Sequence, residues 1–205
     1  MMAKRWMAGT GVGLALAWNS CVLAQGVGLQ VADTADNRTA GETEFTLGTV
    51  LATHMASTAG RAQVSVQDNF RVFADLGWSD PDTGRGNLAA QVGGLYALDL
   101  DLVSDLGIRL AGYYVDTDTV NLMGGDLMLL SSGELLLDGL FLYGGLGVDV
   151  ADRETAISLT ESSDHTEINP AVTIGALYRL TAHVSAYVEA SHVDEGMIGF
   201  GVKYR

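Results

Sequence analysis

The chain has 205 residues, a formal net charge of −14, and only 2 prolines against 26 glycines. This length is sufficient for one domain with a sizeable interior. The acidic balance excludes a general attraction to nucleic acid or to anionic lipid headgroups, because both require a basic surface. Few prolines favour long uninterrupted strands, and many glycines favour bends and crowded sheet faces.

Residues 1–24 have the three parts of a secretory signal peptide. Two basic residues at positions 4–5 precede an apolar, uncharged stretch at residues 6–18. Residues 22–24 supply small or medium-sized side chains before the predicted cleavage site. The apolar stretch is shorter than the roughly 20 residues of a membrane helix. The single cysteine, Cys21, lies in the removed part and is not preceded by the small-residue box of a lipoprotein. We therefore expect an exported chain without disulfides.

Residues 25–43 follow the predicted cleavage site and are weakly patterned. Residues 33–39 are polar and turn-like. This stretch is interpreted as an N-terminal tail or a short extra strand.

From residue 44 onward, apolar residues alternate with polar residues or glycine in stretches of about ten residues. In the first stretch, one face is predicted to hold Phe45, Leu47, Thr49, Leu51 and Met55. In the last stretch, Ile198, Phe200 and Val202 alternate with Gly199 and Gly201. A period of two places each set on one face of a strand. No stretch of helical period separates these segments. The pattern predicts an all-β fold over residues 44–205, an antiparallel up-and-down transmembrane β-barrel of about ten strands, with eight as the alternative.

The predicted connections alternate between short and long. Short or modest turns are predicted at residues 68–69, 99–105, 138–139 and 181–182, and mostly longer loops at residues 57–60, 80–86, 116–125 and 151–166. The short turn at residues 194–195, on the long-loop side, is an exception. Short turns on one side and long loops on the other are typical of outer-membrane barrels. This favours a membrane barrel over a soluble periplasmic β-sandwich, which stays the alternative.

Aromatic residues of the apolar face lie near strand ends. The predicted membrane-interface aromatics are Phe45, Phe70, Tyr96, Tyr178 and Tyr204 on the short-turn side and Trp78 and Tyr114 on the long-loop side. Amphipathic rings prefer the headgroup level of a bilayer. The distribution therefore predicts two interfacial belts.

The opposite face carries charges of both signs. The residues predicted to point inward are Gln63, Gln67, Arg71, Asp75, Gln91, Arg109, Asp149, Arg179, Glu189 and Lys203. A barrel of about eight to ten strands has a narrow interior that side chains mostly fill. We therefore predict a paired polar network inside the barrel. The alternative is a narrow water-filled pore whose charges set ion preference.

The signal peptide, the hairpin at residues 63–78, the glycine-rich strand at residues 140–147 and the closing residues 199–205 carry a resemblance to a known family. They resemble the small outer-membrane β-barrel proteins of Gram-negative bacteria, of the OmpA/OmpX-like porin-domain type. The resemblance is one of pattern and covers nearly all of the chain after residue 24. It implies an outer-membrane location, contact with outer-membrane lipid and lipopolysaccharide, insertion by the outer-membrane assembly machinery, and a monomer. The family usually ends in an aromatic residue, whereas this chain ends in Arg205 after Tyr204.

Candidate chemistry is sparse. His183 and Ser185 share a strand face, similar to a pair in barrel enzymes that trim lipid A, but Ala186 stands where that family has asparagine. Catalysis requires a nucleophile, a base and an orienting acid in contact. The acidic loops lack the spacing of a calcium site. We predict no catalytic residue, cofactor or metal, and a structural or surface-interaction role. A narrow channel for ions or small solutes is the alternative, and a barrel enzyme acting on lipid or peptide is favoured least.

Overall fold

The computed structural model describes residues 29–53, 55–81, 86–100, 104–116, 120–135, 137–158, 161–193 and 196–205. Within these residues it forms ten strands. The strands are β1 (Thr43–Leu51), β2 (Met55–Gln67), β3 (Phe70–Pro81), β4 (Asn87–Leu98), β5 (Asp105–Asp116), β6 (Val120–Glu134), β7 (Leu140–Ser158), β8 (Glu161–Arg179), β9 (Val184–His192) and β10 (Gly196–Tyr204). In the same part of the chain, no helix is long and apolar enough to cross a membrane.

Consecutive strands pair antiparallel, and β1 also pairs with β10, so the sheet closes on itself. The predicted ten-stranded up-and-down barrel is confirmed, and the eight-stranded alternative is wrong. We call the end of the barrel with the turns after β2, β4, β6 and β8 the turn end, and the opposite end the loop end. The period of two is realised in β1, where Phe45 and Leu47 are exposed while Glu44 and Thr46 are buried. The exterior is therefore apolar and the lumen polar.

Several strands are longer than the sequence predicts. The stretches predicted as loops at residues 57–60 and 120–125 belong to β2 and β6, and β7 and β8 continue through most of residues 151–166. Polar residues lack the apolar alternation by which strands are recognised, yet their backbone groups pair equally well. Met55, predicted to share the outer face of β1, lies in the lumen at 4% exposure, because the connection after Leu51 resets the alternation.

Residues 29–42 form no strand. Residues 39–42 are mostly exposed at the turn end, whereas the residues before them enter the lumen, where Leu29, Val31, Ala32 and Ala35 are at most 3% exposed. We call residues 29–38 the lumen segment. The short-strand alternative is therefore wrong for this part of the chain, and the part of the predicted tail at residues 29–38 has wall side chains as its partners. The predicted signal peptide and residues 25–28 lie outside the described residues.

Close packing between the closing strands gives a first testable expectation. A Cβ at Gly201 would stand 2.3 Å from the carbonyl oxygen of Leu47 and 2.7 Å from the Cα of Gly48, so backbone would have to move. Gly133→Ala is the matched control, because nothing lies within 4 Å of its added Cβ. We expect Gly201→Ala to lower the free energy of unfolding by about 1–3 kcal/mol and Gly133→Ala to leave it unchanged or raise it slightly. Urea unfolding in lipid vesicles measures both, and equal values would contradict the register between β1 and β10.

Candidate functional site in the barrel lumen

Most of the charged and amide residues predicted to point inward are deeply buried on the lumen wall. Those at most 5% exposed are Gln63, Arg71, Asp75, Gln91, Arg109, Asp149, Glu189 and Lys203. Their strands place them on the inner face because each alternates with outward apolar neighbours. An unpaired charge at such a position would cost free energy. The partners of these groups therefore determine whether the lumen holds a paired polar network or a water-filled pore.

Two residues of the inward prediction are exposed. Arg179, the last residue of β8, follows the inward Leu177 in phase and lines the cavity at the turn end with Arg38 and Lys203, so it faces the lumen but is not buried in it. Its guanidinium carbon lies 5.3 Å from the centre of the Phe141 ring. Gln67 is also exposed, because the pairing of β2 with β3 shifts register between Ser65 and Gln67.

Arg61 and Asp75 form the centre of the lumen. The Nε and Nη2 atoms of Arg61 donate to the two carboxylate oxygens of Asp75 at 2.7 and 2.8 Å. The same guanidinium donates to the carbonyl oxygens of residues 29–31 at 2.6–2.8 Å and lies 4.4 Å from the centre of the Phe73 ring. One buried cation thus joins β2, β3 and the lumen segment.

Glu189 holds the same segment from the other side of the barrel. Its two carboxylate oxygens accept hydrogen bonds from the backbone N–H groups of Val31 at 3.1 Å and Ala32 at 2.8 Å. The hydroxyl of Tyr143 donates to it at 2.7 Å. Hydrogen bonds to an ionised group are stronger than neutral ones, so Glu189 fixes the segment at residues 31 and 32. Ala32 has a φ of 44°, which turns the segment at this point.

An ionic cluster lies toward the turn end. Lys203 Nζ lies 2.9 Å from Asp33 and 2.6 Å from Glu44, and Arg38 lies 2.8 Å and 2.6 Å from the same two carboxylates. Asp36, also on the lumen segment, faces Arg38 at 3.6 Å. Burial by itself raises the pKa of Asp36, but Arg38 and a second guanidinium, that of Arg71, outweigh burial and lower this pKa below its ordinary value.

Further along the wall the charges pair with each other. Arg109 donates to Asp126, and the hydroxyl of Tyr113 donates to both oxygens of Asp149 at 3.0 Å. The amide of Gln91 satisfies most partners when its oxygen faces Arg109. The cavity beside these groups has a volume of about 20 Å³, which is enough for one or two waters.

Sequence reasoning missed charged residues that contribute much of this arrangement. They are Asp33, Arg38, Glu44, Arg61 and Asp126. Three signals were available. Arg61 continues the alternation of Gln63 and Ser65 toward the N-terminus, Asp126 lies in phase with the buried Met128, and small apolar residues surround Asp33.

The predicted interfacial aromatics face outward. Six of the seven are exposed, and Phe70 is half-buried. In register, Phe45 lies opposite Tyr204 near the turn end, and Trp78 lies opposite Leu88 near the loop end. Their role as membrane-interface belts stays a prediction.

The His183 and Ser185 pair finds no catalytic setting. His183 lies in the turn before β9, and its ring centre is 6.3 Å from that of Tyr204. No hydrogen bond joins it to Ser185 among the contacts of the described chain. Within the residues that the structure describes, no group of three or more His, Cys, Asp or Glu side chains is placed to hold a metal ion. Asp164 and His165, an Asp–His pair of the kind that a barrel protease would use, have side chains outside the described part.

Comparisons with known proteins agree on architecture alone. No family model matches the chain, and no curated protein matches it. Among solved structures, a match to the KdgM porin covers 79% of this chain and 98% of that one, at 10% identity and a TM-score of 0.46. A match to the translocator domain of the autotransporter NalP from Neisseria meningitidis covers 83% of this chain and 90% of that one, at 12% identity and a TM-score of 0.46.

A match to the N-terminal β-barrel domain of Pseudomonas aeruginosa OprF covers 82% of this chain and 98% of that one, at 14% identity and a TM-score of 0.36. At these identities and scores no conclusion about function follows. The chain is similar in architecture to outer-membrane β-barrels, and is itself a closed barrel of ten antiparallel strands.

Proposed function

We propose that this protein is an outer-membrane β-barrel, sealed by its own lumen segment, that has a structural or surface-interaction role and is neither an open channel nor an enzyme. The observation that carries the proposal is the filling of the lumen by residues 29–38, which bond to the walls on several sides. Among the described residues, one cavity inside the lumen and one at the turn end have volumes of about 20 and 50 Å³. Spaces of this size hold a few waters.

The apolar exterior supports placement in a membrane. Leu47, Leu110 and Leu146, on three different strands, are 65%, 62% and 66% exposed. In water these side chains and their neighbours would form an apolar surface far larger than the few hundred Å² that soluble monomers expose. A closed sheet leaves no unpaired strand edge to face lipid.

The height of the apolar surface supports the same placement. On β7 the outward residues run from Leu140 to Val150, after which the outward positions become polar at Asp152. At about 3.3 Å per residue this is about 33 Å along the strand, or about 25 Å along the barrel axis at a tilt of about 40°. That matches the apolar band of outer-membrane barrels.

The surface role is assigned to the hairpin of β7 and β8. These strands have 19 residues each, against 9 to 15 for the others. From Val150 to Ser158 the hairpin continues about 26 Å along the strand. A two-stranded hairpin that extends this far beyond the apolar band presents a rigid surface to partners outside the cell. Outer-membrane lipid and lipopolysaccharide around the apolar band, delivery by the assembly machinery after signal-peptide cleavage, and a monomeric state belong to the same proposal.

The full chain, expressed and recovered from isolated outer membranes, tests membrane placement on a denaturing gel with and without boiling. A boiling-dependent shift in the membrane fraction is expected, and a soluble periplasmic protein without a shift would overturn the placement. Planar-bilayer recordings test sealing, with a porin of known conductance in the same bilayer as the control. We expect no regular current steps from the purified protein. Regular steps would establish the narrow-channel alternative.

A further inference from the structure

We infer that the lumen wall is a binding site for a peptide without regular secondary structure and that the chain's own residues 29–35 occupy it in this structure. The ligand class is a peptide with small side chains at the positions of Ala32 and Ala35 and one carboxylate between them, at the position of Asp33. The inference rests on the lumen contacts and on the barrel fold, and it holds whether or not the barrel conducts or binds partners at its surface.

The wall first provides acceptors for backbone N–H groups. Four consecutive or near-consecutive amides of the segment donate to wall side chains from three strands. These contacts are Leu29 to Asp75 at 3.0 Å, Val31 and Ala32 to Glu189 at 3.1 and 2.8 Å, and Ala35 to Ser132 Oγ at 2.8 Å. Three of the four acceptors are carboxylate oxygens, which makes these bonds stronger than those of an ordinary strand ladder.

The wall also provides donors for backbone carbonyls. Five carbonyl oxygens of the segment accept hydrogen bonds from three buried cations. These contacts are Arg61 to Leu29, Gln30 and Val31 at 2.6, 2.8 and 2.6 Å, Lys203 to Ala32 at 2.9 Å, and Arg71 to Thr34 at 2.5 Å. Backbone groups are the same in every sequence, so the wall is built to hold a chain and not one particular set of side chains.

Side-chain selection is limited to size and one charge. Ala32 and Ala35 are each 1% exposed, so larger side chains would not fit there. Asp33 is the one side chain held by several wall groups, with Gln63 donating at 2.7 Å and Lys203 at 2.9 Å. These contacts define the small-residue, single-carboxylate character of the ligand.

A vacant site would be strongly unsatisfied. If the segment left, Arg61 would lose three carbonyl partners and Glu189 would lose two N–H partners inside a narrow lumen. Such buried charged groups bind a replacement chain more readily than they remain unpaired. The tether to β1 gives the segment a high effective concentration, so a separate peptide is excluded until the segment is absent or displaced.

The test uses a variant lacking residues 25–36, folded in detergent, and a fluorescein-labelled peptide with the sequence of residues 25–37. Fluorescence anisotropy is expected to show saturable one-to-one binding to this variant and none to the full chain, whose site is occupied. A peptide N-methylated at Val31 and Ala32 is expected to bind at least about 100-fold more weakly, because two bonds to a charged group are lost. A peptide N-methylated at Gln30 is the matched control and is expected to bind within about tenfold, since that N–H has no partner among the described residues.

A full-chain variant covers the case in which the shortened barrel fails to fold. Val31→Pro with Ala32→Pro removes both N–H donors to Glu189 and leaves the wall intact. The labelled peptide is expected to bind this variant, and boiling-dependent gel mobility shows that the barrel has formed. A folded variant of either kind that binds no peptide, or that binds both N-methylated peptides equally, would overturn the inference and leave the segment as internal packing. Neither outcome depends on bilayer conductance or on membrane fractionation, so failure here is separate from failure of the proposed function.

Discussion

Replacing Arg61 by Met is expected to lower the free energy of unfolding by about 3–5 kcal/mol, because it breaks a buried ion pair and leaves one charge without its partner. Asp75 would keep only the neutral donors Leu29 N–H and the amide of Gln91, and the carbonyl groups of residues 29–31 would lose their shared donor. Urea unfolding of the barrel in lipid vesicles, followed by the fluorescence of Trp78, measures the loss.

Arg179→Met is the control for this prediction. It removes the same charge and volume from an exposed position whose described contact is the Phe141 ring, and its cost is expected to stay within about 1 kcal/mol. The double variant Arg61→Met with Asp75→Leu is expected to recover part of the loss, since no carboxylate is then stranded. If Arg61→Met and Arg179→Met have equal free energies of unfolding, the stability of the barrel does not depend on the contacts of Arg61 in the lumen.

Leu110→Arg is expected to destabilise the folded barrel by about 2–4 kcal/mol in a bilayer, which is the cost of a charge on the lipid face near the midplane. Leu110 lies at the middle of β5 and is 62% exposed, so no packing inside the barrel is disturbed. The free energy of unfolding in lipid vesicles, compared with that of a matched variant near the interface, measures how the cost depends on the depth of the charge in the bilayer.

The matched variant is Leu137→Arg. Leu137 is 66% exposed and lies in the turn between β6 and β7, at the turn end of the barrel. A cost of about 0–1 kcal/mol is expected there, because an arginine near the interface reaches the headgroups. Equal small costs at both positions would indicate that the apolar exterior does not contact lipid, and would overturn the placement of the barrel in a membrane.

Local periodicity explains why the barrel was predictable. The outward positions of β1 and β10 follow from the alternation alone, as in Phe45 and Leu47 against Ile198 and Phe200, and short turn signals set the number of strands. Predictions made from parity held wherever the alternation was unbroken. They were wrong at Met55, where a connection resets the phase, and at Gln67, where the pairing of β2 with β3 shifts register.

The lumen segment was not predictable in the same way. Its contacts join positions far apart in the chain, such as Val31 and Glu189, and they are made by backbone groups that leave no side-chain pattern. The predicted wall charges were identified singly, but their partners were not. Asp33 and Arg38 were interpreted as parts of a polar turn, although their small apolar neighbours are buried with them.

The contact between Lys203 and Ala32 constrains the order in which the molecule is assembled. These residues are 171 positions apart, and the cation lies on β10, the last strand to be made. Residues 29–38 must therefore remain without their final partners until the last strand is present. Because β10 also closes the sheet against β1, docking of residues 29–38 and closure of the cylinder are expected to occur as one late, slow event, as long-range pairing requires. The segment that seals the finished barrel would then also bring together the two strands that complete it.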